Sequence, residues 1–357
     1  MIKNILYILS SFNNFSGTPK KTLDLIKWSE HKSFLYVYSN AYHEEFKEDF
    51  VAVCEKVLEG DFGRNVFKHV KKIIKVIDDN QIEIIQTQFF FGELITGFVK
   101  IFRPKVKVIV AFEGSMSQGF VKRLIQKTIY RKVHTFIYIS NYVKTEKEKV
   151  FPKLKHANAV IIYNGTSKLL VDDVNRVSKK TFNLLSVSSL IPIKNLNILI
   201  EMMHLLFLSH HKDIHLYIAG NGAQKNELKA KVQEYGLEEF VHFLGRQKKV
   251  GNLLERSDVL VHPCYIEGFG LSVVEAMMAE KPVVVSNAGA LPEIVSHRNT
   301  GFLVDPFVAE EWGNAVLELK KNKELANRIA RNAREKAEQE FSIKNFADNY
   351  NLLYQNL

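Results

Sequence analysis

Short apolar runs rich in β-branched and aromatic residues alternate along this chain with stretches of helical periodicity. The predicted strands cover residues 5–9, 34–38, 83–86, 106–111, 136–139 and 160–162 in the first half, and residues 182–187, 215–219, 241–243, 259–262 and 283–285 in the second. Strands that alternate with helices are typical of parallel sheets with crossover helices. The pattern therefore predicts an α/β protein with two doubly wound sheets and a helical tail from Ala309 onward.

A polar stretch without clear periodicity, residues 167–181, separates the two series of strands. We interpret it as an interdomain connection, because 357 residues suit two domains of about 150 residues each. The expected domains are residues 1–166 and residues 167–342. Ligands of such sheets bind beyond the carboxyl ends of the strands, so the loops that follow strands are the places to look for chemistry.

Composition excludes several classes of protein. With 46% hydrophobic and 25% charged residues the chain is globular. Its two cysteines, Cys54 and Cys264, are too few for a disulfide framework or a thiolate metal site, and they suit a reducing compartment. The first apolar run is shorter than an export signal needs, and no run reaches the roughly 18 apolar residues that cross a bilayer. We therefore expect a cytoplasmic protein.

The net charge of +10 lies entirely in the first half. Residues 1–166 contain 26 Lys and Arg against 16 Asp and Glu, whereas residues 167–357 contain 23 of each. A basic surface attracts nucleic acid, anionic lipid headgroups or phosphorylated substrates, although a compositional bias explains the charge equally well. Residues 119–132 interleave five basic side chains with apolar ones, which predicts a helix able to lie on an anionic membrane. The nearby phenylalanines at 89–91 and 98 either extend that surface or belong to the core.

The most informative segment follows the predicted strand 259–262. Gly268 and Gly270 permit a tight turn, and a helix begins near Leu271. Its unpaired amides form an anion site at the helix N-terminus. Glu267 and Glu275 lie on either side of this turn, where carboxylates suit the hydroxyls of sugar rings rather than phosphate. Together these features indicate a sugar nucleotide.

The acids Glu267 and Glu275, seven residues apart around Gly-Phe-Gly, resemble the acidic motif of the retaining GT-B glycosyltransferases of family 4, the glycosyl transferases group 1. Further segments resemble the family in the right order, at residues 187–195, 218–222, 243–245, 281–285, 289–295 and 301–306. The likeness is thinner in the first half, at residues 16–19, 139–140 and 162–165.

The resemblance implies two facing Rossmann-like domains with a deep interdomain cleft. Residues 1–166 would bind the acceptor, residues 167–342 would bind the nucleotide sugar, and a last helix at about 343–357 would pack back on the first domain. Glu275 would hold the ribose and Glu267 the donor sugar, while Lys194 would stabilise the departing diphosphate. The remaining predicted donor contacts are Gly268, Phe269, Gly270, Leu271, Ser272, Ser189, Gly17, Arg246, Leu244 and Asn221.

Two positions depart from the family pattern. Ser189 stands where the family usually has an arginine, and Arg246 is a candidate substitute or an exposed rim residue. Glu113 stands where the family often has a histidine, and its carboxylate could accept a sugar hydroxyl. We predict that Glu113 acts with Glu267 and Lys194 in catalysis. Reduced activity, a different donor or loss of catalysis are all consistent with these departures.

Other chemistries lack their motifs. The chain has no Asp-x-Asp, P-loop, dinucleotide-binding Gly-x-Gly-x-x-Gly or Gly-x-Ser-x-Gly, so we expect neither a metal nor a cofactor. The expected activity is retaining transfer of a hexosyl group from a nucleoside diphosphate sugar to a glycan or lipid-linked acceptor, in cell-surface polysaccharide or glycoconjugate assembly. The expected partners are the nucleotide sugar, the acceptor and, as an option, an anionic membrane surface, to whose inner face the protein would attach peripherally. Nucleic acid is not an expected partner. A nucleotide-sugar 2-epimerase and a non-catalytic sugar-nucleotide-binding partner remain alternatives.

Overall fold

A computed structural model describes residues 1–12, 17–39, 44–115, 119–167, 169 and 181–357. Most of the predicted connection at 167–181, and Ser16 of the first glycine loop, lie outside the described residues. The chain forms two compact units, Met1–Gly165 with Ile343–Leu357, and Thr166–Ser342.

The first unit is built on a parallel sheet of seven strands. The strands are β1 (Asn4–Leu9), β2 (Lys32–Val37), β3 (Lys56–Glu59), β4 (Ile84–Thr87), β5 (Lys107–Phe112), β6 (Thr135–Tyr138) and β7 (Ala159–Ile161), in the spatial order β3-β2-β1-β4-β5-β6-β7. The helices between them are α1 (Gly17–Lys27), α2 (Glu44–Val51), α3 (Val66–Asn80), α4 (Phe89–Phe102), α5 (Phe120–Tyr130) and α6 (Asn141–Val150). The central strands are buried along their length, as expected of a parallel sheet covered on both faces.

The last helix of the chain, which we number α14 (Ile343–Gln355), belongs to this first unit. Its inward side buries Phe346, Tyr350 and Tyr354 in the core beneath β1. The Tyr354 hydroxyl donates a hydrogen bond of 2.6 Å to Gln86 of β4 and accepts one of 3.3 Å from the Tyr7 hydroxyl, so this buried phenol is satisfied.

The second unit contains a parallel sheet of six strands. The strands are β8 (Phe182–Val187), β9 (Ile214–Ala219), β10 (Val241–Gly245), β11 (Val259–His262), β12 (Val283–Ser286) and β13 (Phe302–Val304), in the order β10-β9-β8-β11-β12-β13. Its helices are α7 (Leu196–Leu208), α8 (Lys225–Glu234), α9 (Val250–Arg256), α10 (Leu271–Met278), α11 (Leu291–Ile294), α12 (Ala309–Lys321) and α13 (Lys323–Glu340). Trp312 of α12 is fully buried in this core, and its indole N–H donates to the Asp305 carbonyl at 2.9 Å.

Every predicted strand is present, with bounds that differ by no more than about two residues. The sequence pattern does not predict β3 and β13, so both sheets are one strand wider than expected. Both missed strands lie at a sheet edge and are short, with four and three residues. A run of that length carries too little periodicity to be distinguished from a loop.

In each sheet the first strand lies between the second and the fourth, so the strand order reverses there. In the second unit this places β8 between β9 and β11. The loops after β8 and β11 therefore follow neighbouring strands at the carboxyl edge of the sheet, which is where ligands of such sheets bind. Among the described helices, none has the length and apolar composition that crossing a bilayer requires.

Candidate functional site

Lys194 and Glu267 meet at the carboxyl edge of the second sheet, where the strand order reverses. Lys194 ends the short 3-10 turn Pro192–Lys194 after β8, and Glu267 lies in the loop after β11. Because β8 and β11 are paired, these loops emerge side by side, and the Tyr265 amide donates to the Ile193 carbonyl at 3.2 Å. The Lys194 ammonium thereby reaches a Glu267 carboxylate oxygen at 2.7 Å. The structure brings together two residues that the sequence separates by 73 positions.

His262, the last residue of β11, also holds Glu267. Its Nε2 lies 2.9 Å from the same carboxylate oxygen, Oε2, that binds Lys194. Since a carboxylate only accepts, Nε2 carries the proton, and Nδ1 is left to accept from the Ser272 hydroxyl 3.5 Å away. The motifs in the sequence indicate no role for His262, although its position at the carboxyl end of a predicted strand is a usable signal.

The charges of this cluster stabilise one another. Burial alone would raise the pKa of Glu267, but the His262 hydrogen bond and the Lys194 charge outweigh it and hold that pKa far below its ordinary range. For Lys194 burial acts in the opposite direction and lowers the pKa, but the charge of Glu267 outweighs burial, so the pKa of Lys194 is raised. Both groups are therefore ionised at neutral pH.

Three side chains of this cluster are of types that can bind a metal ion. His262, Cys264 and Glu267 place ligand-type atoms within 4.8 Å of one another. Burial, however, raises the pKa of the Cys264 thiol to about 12, and its Sγ donates to the Ile266 carbonyl at 3.2 Å. A protonated thiol is a poor ligand, and the Lys194 ammonium already supplies the positive charge beside the carboxylate.

The depressed pKa of Glu267 predicts a pH dependence of stability. Its contribution is fully present above the pKa of about 4.3 that an unfolded glutamate has, and is lost as the pH falls below that value. We expect Glu267→Gln to lower the free energy of unfolding at pH 7 and to have a smaller effect at pH 3. Urea unfolding at both pH values measures the change in the free energy of unfolding. Glu335→Gln, at an exposed position of α13, is the control. An equal effect at both pH values would contradict it.

The glycine turn between Glu267 and α10 has the predicted form. Gly270 adopts a φ of +104° and precedes the first residue of α10, Leu271. The first-turn amides of a helix, here those of Leu271 and Ser272, have no acceptor within it. Phe269 is buried with its ring edge-on to Phe341 at 5.5 Å, so only its backbone can serve a ligand. Glu275 is half-buried on α10, one turn beyond Leu271.

Other predicted donor residues follow neighbouring strands at the same edge of the sheet. Ser189 is exposed after β8 and Asn221 is exposed after β9, where its carbonyl accepts from the Leu190 amide at 3.1 Å. Leu244 lies in β10, and its carbonyl accepts from the Gln247 side chain at 2.7 Å. Arg246 is exposed just after β10. Gly268 lies in the loop that connects β11 to α10.

The predicted site residues of the first unit form a separate pair. Glu113 follows β5, and both of its carboxylate oxygens lie 2.5 Å from the ammonium of Lys21 on α1. The two side chains are 10% and 3% exposed, so this is a nearly buried ion pair. The Lys21 charge therefore neutralises that of Glu113. Gly17 is the exposed first residue of α1.

Comparison with known proteins identifies the second unit. Residues 170–336 match the family model of the glycosyl transferases group 1. This part of the chain is similar to the glycosyl transferases group 1 domain. An uncharacterized glycosyltransferase of Haemophilus influenzae is 22% identical over 335 residues, covering 91% of this chain and 92% of that protein. The uncharacterized glycosyltransferase MJ1178 of Methanocaldococcus jannaschii is 26% identical over 278 residues, covering 76% and 74%.

Solved structures extend the likeness over the whole chain. Anabaena HepE in complex with UDP-glucose superposes with a TM-score of 0.86 at 20% identity, covering 99% of this chain and 100% of that one. The lipopolysaccharide outer core galactosyltransferase WaaB gives 0.75 at 15% identity, covering 99% and 100%. At such identities the likeness establishes the fold, which is GT-B. The predicted class, two Rossmann-like parallel α/β domains, is confirmed, as is the resemblance of the second unit to group 1 glycosyltransferases.

Proposed function

We propose that this chain transfers a hexosyl group from a nucleoside diphosphate sugar to a hydroxyl of a glycan or lipid-linked acceptor, with retention at the anomeric carbon. The observation that carries the proposal is the Lys194–Glu267 ion pair, at 2.7 Å, in a group 1 domain beside the turn that opens α10. The structure of HepE was solved with UDP-glucose, which supports a UDP-hexose as the first donor to test. Cell-surface polysaccharide or glycoconjugate assembly is the proposed context.

In the proposed reaction the protein stabilises the charge of the leaving group. As the bond between the anomeric carbon and the diphosphate oxygen breaks, negative charge builds on the phosphate. The Lys194 ammonium and the amides of Leu271 and Ser272 would offset it. We propose that no metal is needed, since these groups supply the positive charge.

Glu267 would bind a hydroxyl of the donor sugar. Its carboxylate accepts from Lys194 and His262 and, with about four lone-pair sites, still has room for another donor. A carboxylate held by two donors is a weak nucleophile, so we assign it a binding role. The acceptor oxygen would bond to the anomeric carbon on the face that the diphosphate leaves, and the departing phosphate oxygen would take the acceptor proton.

The role of Glu275 gives a direct test. If Glu275 accepts hydrogen bonds from the ribose hydroxyls, Glu275→Ala removes charged hydrogen bonds and should weaken UDP-glucose binding about a hundredfold. Isothermal titration calorimetry measures the affinity, and Glu335→Ala on the exposed side of α13 is the control. Unchanged affinity in the Glu275 variant would remove the basis for the donor site.

A non-catalytic sugar-nucleotide-binding partner is the second candidate. Ser189, which stands where the family it resembles usually has an arginine, is exposed, and Glu113, which stands where that family often has a histidine, is bound by Lys21. Incubating the protein with UDP-glucose distinguishes the candidates. Slow release of UDP and glucose supports the transferase, whereas binding without any turnover supports the second candidate.

We propose that the acceptor binds to the first half of the chain. Residues 1–166 carry the whole charge excess, with 26 basic and 16 acidic residues. We propose a cytoplasmic protein that associates peripherally with an anionic membrane and there meets a lipid-linked acceptor, and no nucleic acid as partner.

A further inference from the structure

The outward side of α5 is apolar although nothing in the described first unit covers it. Phe120, Val121, Leu124 and Ile125 are 74%, 67%, 48% and 36% exposed. Their spacing places them on one side of the helix. The opposite side buries Gln126, Ile129 and Tyr130, so α5 is attached to the core by different residues. The outward apolar side is therefore not explained by folding of this unit.

Positive charge borders this apolar side. Residues 119–132 contain Lys122, Arg123, Lys127, Arg131 and Lys132 and no acidic residue. Lys127 and Arg131 are exposed and follow Leu124 by one and two turns. Long basic side chains in this position can extend to lipid phosphates while their methylene groups stay on apolar surface.

Polar contacts in the core fix the orientation of α5. The Gln126 amide donates to the Glu93 carboxylate of α4 at 2.7 Å, and the Tyr130 hydroxyl donates to it at 3.3 Å. Next to α5, helix α4 begins with Phe89, which is 47% exposed, and the Lys122 ammonium lies 5.2 Å from the centre of the Phe90 ring. The apolar surface thus continues onto a second helix.

We infer that this α5 outer face, formed by Phe120, Val121, Leu124, Ile125, Lys127 and Arg131, docks on an anionic lipid bilayer with the helix axis parallel to the membrane plane. A cationic border on an apolar centre is complementary to acyl chains beneath anionic headgroups. A second copy of the same face would oppose cations to cations, which disfavours a symmetric dimer. The inference rests on the proposed function for its partner, since a lipid-linked acceptor lies at such a surface.

Sedimentation with vesicles tests the inference. The full chain should sediment with vesicles of equal parts phosphatidylglycerol and phosphatidylcholine, and much less with phosphatidylcholine alone. Phe120→Ser with Leu124→Ser should weaken partition about a hundredfold. Lys127→Gln with Arg131→Gln should weaken it about thirtyfold and reduce its salt dependence.

Matched variants of the second unit serve as controls. Leu205→Ser with Leu208→Ser removes exposed apolar side chains of α7, and Lys321→Gln with Lys323→Gln removes two exposed cations. Both should sediment like the unaltered chain. UDP-glucose binding, measured by calorimetry, should be unchanged in the α5 variants. Calorimetry therefore tests the donor site, and sedimentation tests membrane docking.

Three results would overturn the inference. The first is equal sedimentation of the α5 variants and the unaltered chain. The second is equal binding to neutral and anionic vesicles. The third is a dimer, detected by light scattering, that the Phe120 and Leu124 substitutions dissociate while no vesicle binding occurs, because the face would then be a protein interface.

Discussion

Replacing Lys194 by alanine is expected to lower kcat for hexosyl transfer about a thousandfold. The ammonium is the side-chain cation that the structure places beside Glu267, at 2.7 Å, next to the amides that open α10. Charge that develops on a leaving diphosphate would lose its strongest partner, whereas the substrate in its ground state would lose less. We therefore expect a larger effect on kcat than on KM.

Release of UDP from UDP-glucose, with and without acceptor, measures this effect. Lys323→Ala, an exposed lysine of the same unit, is the control and should leave the rate unchanged. The unaltered enzyme should retain its rate in EDTA. In the variant, loss of the Lys194 charge should also raise the pKa of Glu267, because that charge helps hold it down. A kcat within threefold of the unaltered enzyme, at equal stability, would show that Lys194 does not act on the leaving group.

Gly289→Ala is expected to lower the free energy of unfolding by about 3 kcal/mol and to reduce turnover about a hundredfold. Gly289 has a φ of +60°, and a Cβ there would lie 2.7 Å from both the amide nitrogen and the carbonyl oxygen of Glu267. Backbone cannot move aside as a flexible side chain can, so the loop carrying Glu267 must shift. The shift would separate Glu267 from Lys194 and His262.

Gly236→Ala is the control that separates the effect of the steric contact from the effect of the positive φ. Gly236 has a similar φ of +64°, but a Cβ there would meet nothing within 4 Å. We expect this control to cost about 1 kcal/mol, the price of the backbone conformation alone, and to keep full turnover. Thermal and urea unfolding give the stabilities, and UDP release gives the turnover. Equal behaviour of the two variants would mean that the Glu267 loop tolerates the added atom.

The sequence predicts the central strands well because they are buried on both faces. Residues 182–187 and 259–262 are predicted with the bounds of β8 and β11; β8 is mostly apolar with a buried centre, and β11 is fully buried and apolar up to His262. The edge strand β3 reads Lys-Val-Leu-Glu and stays partly exposed. Its conformation depends on pairing with β2, a contact that no local pattern contains.

The sequence predicts those parts of the candidate site that lie within one continuous segment. The turn from Glu267 to Glu275 is one continuous segment, so the glycines, the helix start and the two acids follow from residue order. The hydrogen bond from His262 and the ion pair with Lys194 depend on which strands are neighbours. The same is true of Lys21 and Glu113, which are 92 residues apart. Pairings of this kind require the three-dimensional arrangement of strands.

The return of α14 to the first unit affects the order in which the protein can be completed on the ribosome. The seven strands of the first sheet emerge early, but the helix that buries Phe346, Tyr350 and Tyr354 against them is translated only after the whole second unit. All of Thr166–Ser342 is synthesised in between. The first unit therefore leaves an apolar surface uncovered in the nascent chain until α14 has been synthesised, and the second unit can reach its native state before the first is finished.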